Sequence, residues 1–434
     1  MIVEFTIGNY RSFKDKVTLS LEAGTVSEFP ENTFKVKKLK LLKSAVVYGA
    51  NASGKSNLLQ AIGTMREVLL NNFKKQSTNT LPAEPFLLED SCAQLPCFFQ
   101  LNFIIDEVLY RYGFEITAEK VSSEWLYRKK ANIEKPLFLR EEDVIELFPG
   151  FEEGKDLEER TLDNGFFLAV CDAFNGAISK KIMHWFNNLS IISGVHHDGY
   201  RTQTLEMLEN PATHDDLKAL ISLLDLGFED LELSKDTPDE PRMIQSISMV
   251  AEKSVQYMTR SRRKIKTIHK VFDQKGLQMR EQKFDLDQME SSGTQKIFDI
   301  IGPIFWVLKK GGIAVIDELD AKLHPLLTRA FIRIFNSEEN NPHNAQLVFA
   351  SHDINLLSYG HFRRDQIYFV EKDHFGASNL YSLIEFKEVG QGKIRKDRSF
   401  EKDYIQGRYG SIPFLGDFSK LIQQWQGEEK LTAN

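Results

Sequence analysis

Apolar residues alternate, or run in short blocks, through the first 125 positions, and that pattern predicts strands. Ile2–Ile7 and Val17–Leu21 come first, then the fully apolar type of run at Ser44–Tyr48, then Phe98–Ile105 and Val108–Ile116 with a turn at Asp106-Glu107. After Ser56 the spacing changes, because Leu58, Ile62, Met65 and Leu69 recur at helical intervals. From about 126 to 275 the pattern reads as mainly helical, with helices at Phe166–Leu189 and Asp215–Leu226 and polar breaks near 150–160 and 234–242. Strand and helix then alternate: helix 294–308, strand 313–317, helix 325–336, strand 346–350 and strand 366–371. The expectation is an α/β fold whose sheet is built from two halves distant in sequence. Its parts are 1–125, a mainly helical insertion at 126–275, the returning half at 276–415, and a tail at 416–434. No repeat period or sustained heptad pattern is present, which excludes a long coiled-coil arm.

The strand and helix at 44–69 flank Gly49-Ala-Asn-Ala-Ser-Gly-Lys-Ser56, which fits GxxxxGK[ST]. A chance match in a chain of this length has a probability of about 1 in 100, so the flanking elements decide the reading. A Gly/Ser-rich surface turn is the alternative, and a buried-type strand running into an amphipathic helix argues against it. In such a loop successive backbone N–H groups and a helix N-terminus favour phosphate. Lys55 reaches the β/γ-phosphates and Ser56 ligates Mg²⁺. Gly49, Asn51, Ser53, Gly54 and the adjoining Asn57 complete the expected nucleotide-binding set.

Gly312-Ile-Ala-Val-Ile-Asp317-Glu318 is an apolar strand ending in two carboxylates. Beside a phosphate loop, Asp317 is placed to hold Mg²⁺ and Glu318 to act as general base on the attacking water. An Asp-Glu pair opening a helix is the plainer alternative. Ahead of this strand, Glu290-Ser291-Ser292-Gly293-Thr-Gln295 precedes a helix carrying Ile297, Ile301, Phe305 and Leu308 on one face. That turn is either an ordinary N-cap or a second phosphate-binding surface. Downstream, Gln346–Ala350 leads into Ser351-His352-Asp353, and a His at a strand end can hydrogen-bond a γ-phosphate and water.

The order of these parts resembles the ABC-type ATPase head of the SMC, RecF and OLD proteins. The resemblance makes Gly49–Ser56 the Walker A loop, Ser291, Ser292 and Gly293 the signature in a diverged Ser-Ser-Gly-Thr-Gln form, and Asp317-Glu318 Walker B. It likewise makes Asp320 the D-loop residue and His352 the switch histidine. The opening Phe5–Phe13 looks like the first strand of RecF/SMC-like heads, where an Arg at the position of Arg11 lies near nucleotide. Glu290–Thr294, Arg364-Asp-Gln-Ile367 and Gly407-Arg-Tyr-Gly-Ser-Ile-Pro413 are similar to stand-alone bacterial ATPases of the RloA and AbiL phage-defence class. Gln94 and Gln100 are the glutamines near a Q-loop position, and neither is assigned to it. The fold implied is an ABC/RecF-like P-loop head, a mixed sheet with an antiparallel β lobe and a helical insertion. ATP and Mg²⁺ are the implied cofactors. The implied assembly is a homodimer, or a higher even-numbered oligomer, with ATP between Walker A of one chain and the signature of another.

Composition narrows the functional classes. With 434 residues, 42% hydrophobic and 27% charged, the chain has globular composition and room for more than one core. No apolar run approaches the roughly 18 residues needed to span a bilayer, and the opening residues lack a signal-peptide pattern, so no membrane association and a cytoplasmic location are expected. Cys92, Cys97 and Cys171 are few and lack metal-type spacing, which suits reduced packing residues. A net charge of −7 confines nucleic-acid contact to a local patch, of which Arg260–Lys270 is the best candidate, with a solvated face as the alternative. Three classes remain: an ATPase switch acting on a separate effector encoded nearby, of nuclease or Toprim type; a DNA-binding repair or chromosome ATPase; and a nuclease with its own module. The third is disfavoured, since no strand-borne Glu followed by Asp-x-Asp occurs after His352.

Overall fold

The computed structural model describes residues 1–71, 76, 78–130, 133–234, 264–358, 362–388, 392–393 and 400–409. They form two compact units. The first comprises Met1–Ser193, Val307–Asp320 and Thr328–Asn434, the second Gly194–Trp306 and Ala321–Leu327.

A six-stranded sheet lies at the heart of the first unit, in the order Leu189–Ser193, Ile313–Asp317, Gln346–Ala350, Ser44–Tyr48, Ile367–Lys372, Ser378–Ser382. All neighbours run parallel except the last pair. Every residue of Ser44–Tyr48 and of Gln346–Ala350 is buried, as expected of parallel strands covered on both faces. The N-terminal strand thus lies between two C-terminal ones, and the two halves separated in sequence share one sheet. A seven-stranded antiparallel sheet runs in the order Val144–Leu147, Ile133–Glu141, Val121–Lys130, Val108–Ile116, Cys97–Ile105, Ile2–Gly8, Val17–Ser20. Helix Lys55–Asn71 buries Leu58, Ile62, Met65 and Leu69 in the core shared with these sheets. Aromatic rings fill the space. Phe103 stacks on Trp185 with centroids 4.4 Å apart, and Phe138 meets Phe167 edge-on at 5.0 Å.

A latch fixes the phosphate-loop strand at its start. The Arg363 guanidinium, fully buried, donates to both Asp365 oxygens at 2.9 and 2.8 Å. Gln366 donates to the carbonyl and hydroxyl oxygens of Ser44 while its Oε1 accepts from Asn32. Arg363-Arg-Asp-Gln366 is therefore a structural clamp in this chain, since burying a charge requires its partners beside it.

The insertion differs from the expected 126–275 helical block. Ile133–Glu141 and Val144–Leu147 extend the antiparallel sheet, and Leu189–Ser193 joins the parallel sheet. The sequences of Ile133–Glu141 and Val144–Leu147 hide this because their faces mix charged residues with apolar ones, which blurs the two-residue period. The helix expected at Phe166–Leu189 is two helices, Phe167–Ala173 and Ala177–Asn187. Gly176 breaks it: a Cβ there would lie 2.6 Å from a Glu153 oxygen, and Glu153 caps the second helix by accepting from the Ile178 and Ser179 amides.

The second unit holds helices Arg201–Glu209 and His214–Leu223, the antiparallel strands Asp230–Ser234, Lys264–Phe272 and Gln278–Asp285, and the start of helix Ser292–Lys310. Within the basic run, Arg260–Arg263 lie outside the described residues. Lys264–Lys270 fall on the middle strand, where Lys270 pairs with Glu229 at 2.7 Å and His269 with Glu290 at 2.7 Å. No helix among the described residues is long and apolar enough to cross a membrane. The three cysteines are buried and unpaired, and burial pushes the Cys97 thiol up to about 12. The tail at 416–434 lies outside the described residues, as does the motif end from Gly410 to Pro413. Tyr409 of that motif is fully buried against Phe369.

Candidate nucleotide site

Strand register brings the site together. Ile316 lies beside Phe349 and Phe349 beside Val46, so Asp317, the Ser351-His352-Asp353 turn and the loop after Tyr48 leave the parallel sheet at the same edge. Ligands of open α/β sheets bind at this carboxyl edge. The loop Gly49–Gly54 follows and helix Lys55–Asn71 begins at Lys55. Close approach explains the glycines. A Cβ on Gly49 would stand 2.4 Å from the Val370 carbonyl oxygen, and Gly54, at φ +118°, would place one 2.5 Å from Ser378 Oγ and 2.8 Å from Ser12 Oγ.

Lys55 is buried, and its ammonium donates to the Gly49 and Ala50 carbonyls at 2.8 and 3.0 Å. Burial lowers its pKa, while Asp317, Glu318 and Asp320 oppose that shift. One cation thus feels three carboxylates supplied by residues more than 250 positions away in sequence. Asp317 Oδ1 is buried with no hydrogen-bond partner, and so is Ser53 Oγ. A buried carboxylate oxygen left unpaired is costly unless something binds it, and beside a phosphate loop a divalent cation is the chemical fit. Glu318 is half-buried with φ +52°, a strained conformation for a non-glycine residue. Asp320 accepts from the His352 amide through both oxygens, at 3.3 and 3.2 Å, which fixes the backbone of the exposed His352. Tyr48 closes this edge by donating to the Asp353 carbonyl at 3.1 Å.

The other expected residues fall as follows. Asn51 is exposed and Ser56 half-buried in the first helical turn. Asn57 donates to Ser12 Oγ at 2.8 Å, so it ties the loop helix to the Asn9–Phe13 turn. Arg11, at φ +49°, forms a two-bond pair with Glu84 at 2.7 and 3.0 Å and also reaches Gln60. Gln100 accepts from Arg111 and Trp125 within the antiparallel sheet, and Gln94 is exposed. Ser291, Ser292 and Gly293 belong to the second unit. There Ser291 Oγ accepts from the Thr294 amide at 3.1 Å, the N-cap bond, and Gln295 donates to the Leu286, Asp287 and Glu290 carbonyls. A Cβ on Gly293 would come within 2.6 Å of the Lys322 carbonyl oxygen.

Sequence reasoning missed the floor of the loop. Ser378 donates through Oγ to the Ser53 carbonyl and through its amide to the Ser12 carbonyl at 2.7 Å. Gly49 and Gly54 signal that something approaches closely, yet nothing in the sequence says that Val370, Ser12 and Ser378 are what approach.

A GxxxxGK[ST] loop on a parallel sheet, with an Asp-Glu pair ending the strand two places away, defines the P-loop nucleotide-binding class. A family model described as "AAA domain, putative AbiEii toxin, Type IV TA system" matches residues 44–358, well over half of the chain, and the chain belongs to this AAA-type family. No curated protein matches it.

Proposed function

We propose that this chain is an ATP-hydrolysing switch with an ABC/RecF-type head, which pairs through nucleotide and controls a separate effector in bacterial antiphage defence. The observation that carries the reading is half-buried Asp317, whose Oδ1 is buried and unpartnered, at the sheet edge that also delivers Lys55 and Glu318. The antiparallel sheet sharing a core with the parallel one supports the ABC/RecF form, as does the Ser-Gly turn opening a long helix. The class resembled points to a cytoplasmic protein.

In this reading the loop amides and Lys55 hold the β- and γ-phosphates. Ser56 and Asp317 would hold Mg²⁺, which supplies charge neutralisation at the phosphates. Glu318 takes the proton of the attacking water, and His352, whose backbone Asp320 holds, donates toward the γ-phosphoryl oxygens as ADP leaves. A second chain contributes Ser292 and Gly293 at a helix N-terminus, whose amides add positive potential at the terminal phosphate. Closure driven by ATP and released by hydrolysis converts the chemistry into a change of assembly.

The alternative, a DNA-binding repair ATPase, relies on Arg260–Lys270. The acidic neighbours of Lys270 and His269 support a solvated strand face instead. Light scattering on Glu318→Gln tests the switch: with Mg²⁺ and ATP it should double in mass and stay so, while an unchanged mass with and without nucleotide removes the clamp. Mixing Lys55→Ala with Ser292→Arg should restore turnover that neither has alone, since one composite site then keeps all its parts. Phage restriction should require both this chain and its neighbouring effector gene.

A further inference from the structure

A cavity of about 490 Å³ opens in the first unit at the amino end of strand Ile313–Asp317, away from the carboxyl edge that carries Asp317. Its lining belongs wholly to that unit. The size falls in the range of roughly 300–1,000 Å³ typical of clefts that take small ligands. Val36, Ile104, Ile105 and Ile313 supply an apolar wall, and Trp185 completes it. The indole is half-buried and stacked on Phe103 with centroids 4.4 Å apart, which fixes its plane. Its Nε1–H makes no hydrogen bond among the described residues, although a tryptophan seated in apolar surroundings normally spends that donor.

Two carboxamides share the cavity, Asn188 and Asn344, and neither side chain has a partner among the described residues. Their backbones are held nonetheless. The Asn188 amide donates to the His184 and Trp185 carbonyls at 3.2 and 3.1 Å, and Asn344, at φ +53°, donates its amide to the Asn341 carbonyl at 3.1 Å. Each carboxamide offers donors and an acceptor at one place, which suits the edge of a nitrogen heterocycle that carries both. Of the charged lining groups, Lys35, Lys37 and Lys310 stand against Asp106 and Glu107. Both acids have cations of their own: Lys181 reaches Asp106 at 3.0 Å and Lys37 reaches Glu107 at 3.5 Å. Lys35 is exposed with no partner among the described residues, so the uncommitted charge it adds is positive.

We infer that this cavity binds a nucleoside monophosphate. The base packs against Trp185 and the isoleucine wall, its edge bonds to Asn188, Asn344 and the indole N–H, and the phosphate is taken by Lys35. An aromatic platform accepts any base, because every base has a π-face, while the carboxamides favour ring edges that carry both a donor and an acceptor. Ile313 opens the strand that ends in Asp317, so this site stands apart from the phosphate loop and does not rest on ATP hydrolysis there.

The test uses the full chain carrying Lys55→Ala, which impairs the phosphate loop, titrated by calorimetry with AMP, GMP, CMP and UMP, with their nucleosides, and with ribose 5-phosphate. Saturable binding of at least one monophosphate is expected, tighter than its nucleoside or ribose 5-phosphate alone. Adding Trp185→Phe keeps a stacking ring and removes the N–H, and Asn344→Gly removes a carboxamide where the positive φ suits glycine. Each should weaken that nucleotide about threefold to tenfold. Lys35→Gln should weaken the nucleotide and leave its nucleoside unchanged. Thermal unfolding accompanies each titration, and Lys35→Gln, at an exposed position, decides the matter if Trp185→Phe fails to fold. Failure of all four monophosphates to bind overturns the site, as does binding that none of the three variants alters. Ribose 5-phosphate bound as tightly as the nucleotide overturns it too, since the base would then contribute nothing. If the unmutated chain hydrolyses no ATP, the proposed function fails while the titration still decides the cavity.

Discussion

The phosphate loop and the Ser291–Gln295 turn both set a helix start among polar side chains, yet they are held by different means. The loop is fixed by backbone. Strand register places its carboxylates, and Gly49 and Gly54 admit the Val370 carbonyl and the Ser12 and Ser378 hydroxyls at distances no side chain would allow. The Ser291–Gln295 turn is fixed mainly by side chains, with one tight backbone approach at Gly293: Ser291 caps it, Gln295 staples three carbonyls, and Glu290 accepts from Thr267 and His269. A backbone-built site tolerates only glycine at its tight points, whereas a side-chain-built site can vary its sequence as long as the hydrogen bonds survive. That difference fits a GxxxxGK[ST] loop of the general form beside what is, in the proposed reading, a signature that departs from it.

The comparison can be broken from either end. The largest effect is expected at the carboxylate proposed as general base: Glu318→Gln should lower ATP turnover by about 10²–10⁴-fold while leaving ATP binding intact, because the amide keeps the shape but accepts no proton. Equal turnover would move the general base elsewhere. Next comes the latch at the start of the loop strand. Arg363→Ala leaves Asp365 buried without its cation and should cost about 3–5 kcal/mol in chemical unfolding. An unchanged midpoint would mean that the strand needs no such clamp.

Smaller effects sharpen the contrast between backbone and side-chain construction. Gly293→Ala forces a Cβ to within 2.6 Å of the Lys322 carbonyl, and the helix start should shift at a cost of about 1–3 kcal/mol. Turnover is expected to fall with it, and nucleotide binding at the loop to survive. Ser378→Ala, which removes one bond to the Ser53 carbonyl, should lower stability by only about 0.5–1.5 kcal/mol. A larger loss of ATP affinity than of stability in Ser378→Ala would show that this hydroxyl shapes the loop itself.

Much of the first site was legible because its chemistry is local. Eight consecutive residues specify the loop, and an apolar strand ending in Asp317-Glu318 reads as one unit at any distance from it. The strands 313–317 and 346–350 and the helix 325–336 were read at their observed limits for the same reason: short apolar runs bounded by polar turns. Ile133–Glu141 was not, since its first residues are exposed and charged and only its end alternates into the core. Nor could sequence reveal the cavity at Trp185. Lys35, Trp185 and Asn344 come from three distant segments, each is unremarked in its own, and only folding brings them to one lining. The Gln366 clamp was seen as a motif but not as a clamp, because Ser44 and Asn32 carry no mark of what they bond.

The central claim is that the edge formed by Lys55, Asp317 and Glu318 cleaves ATP. Phosphate release from ATP by the purified full chain, followed with Mg²⁺ and with excess chelator and run beside Lys55→Ala, tests it most directly. Steady Mg²⁺-dependent release by the unmutated chain, abolished by the chelator and by Lys55→Ala, is the predicted result. Release that persists at the same rate in Lys55→Ala, or no release by the unmutated chain at saturating ATP and Mg²⁺, would contradict it.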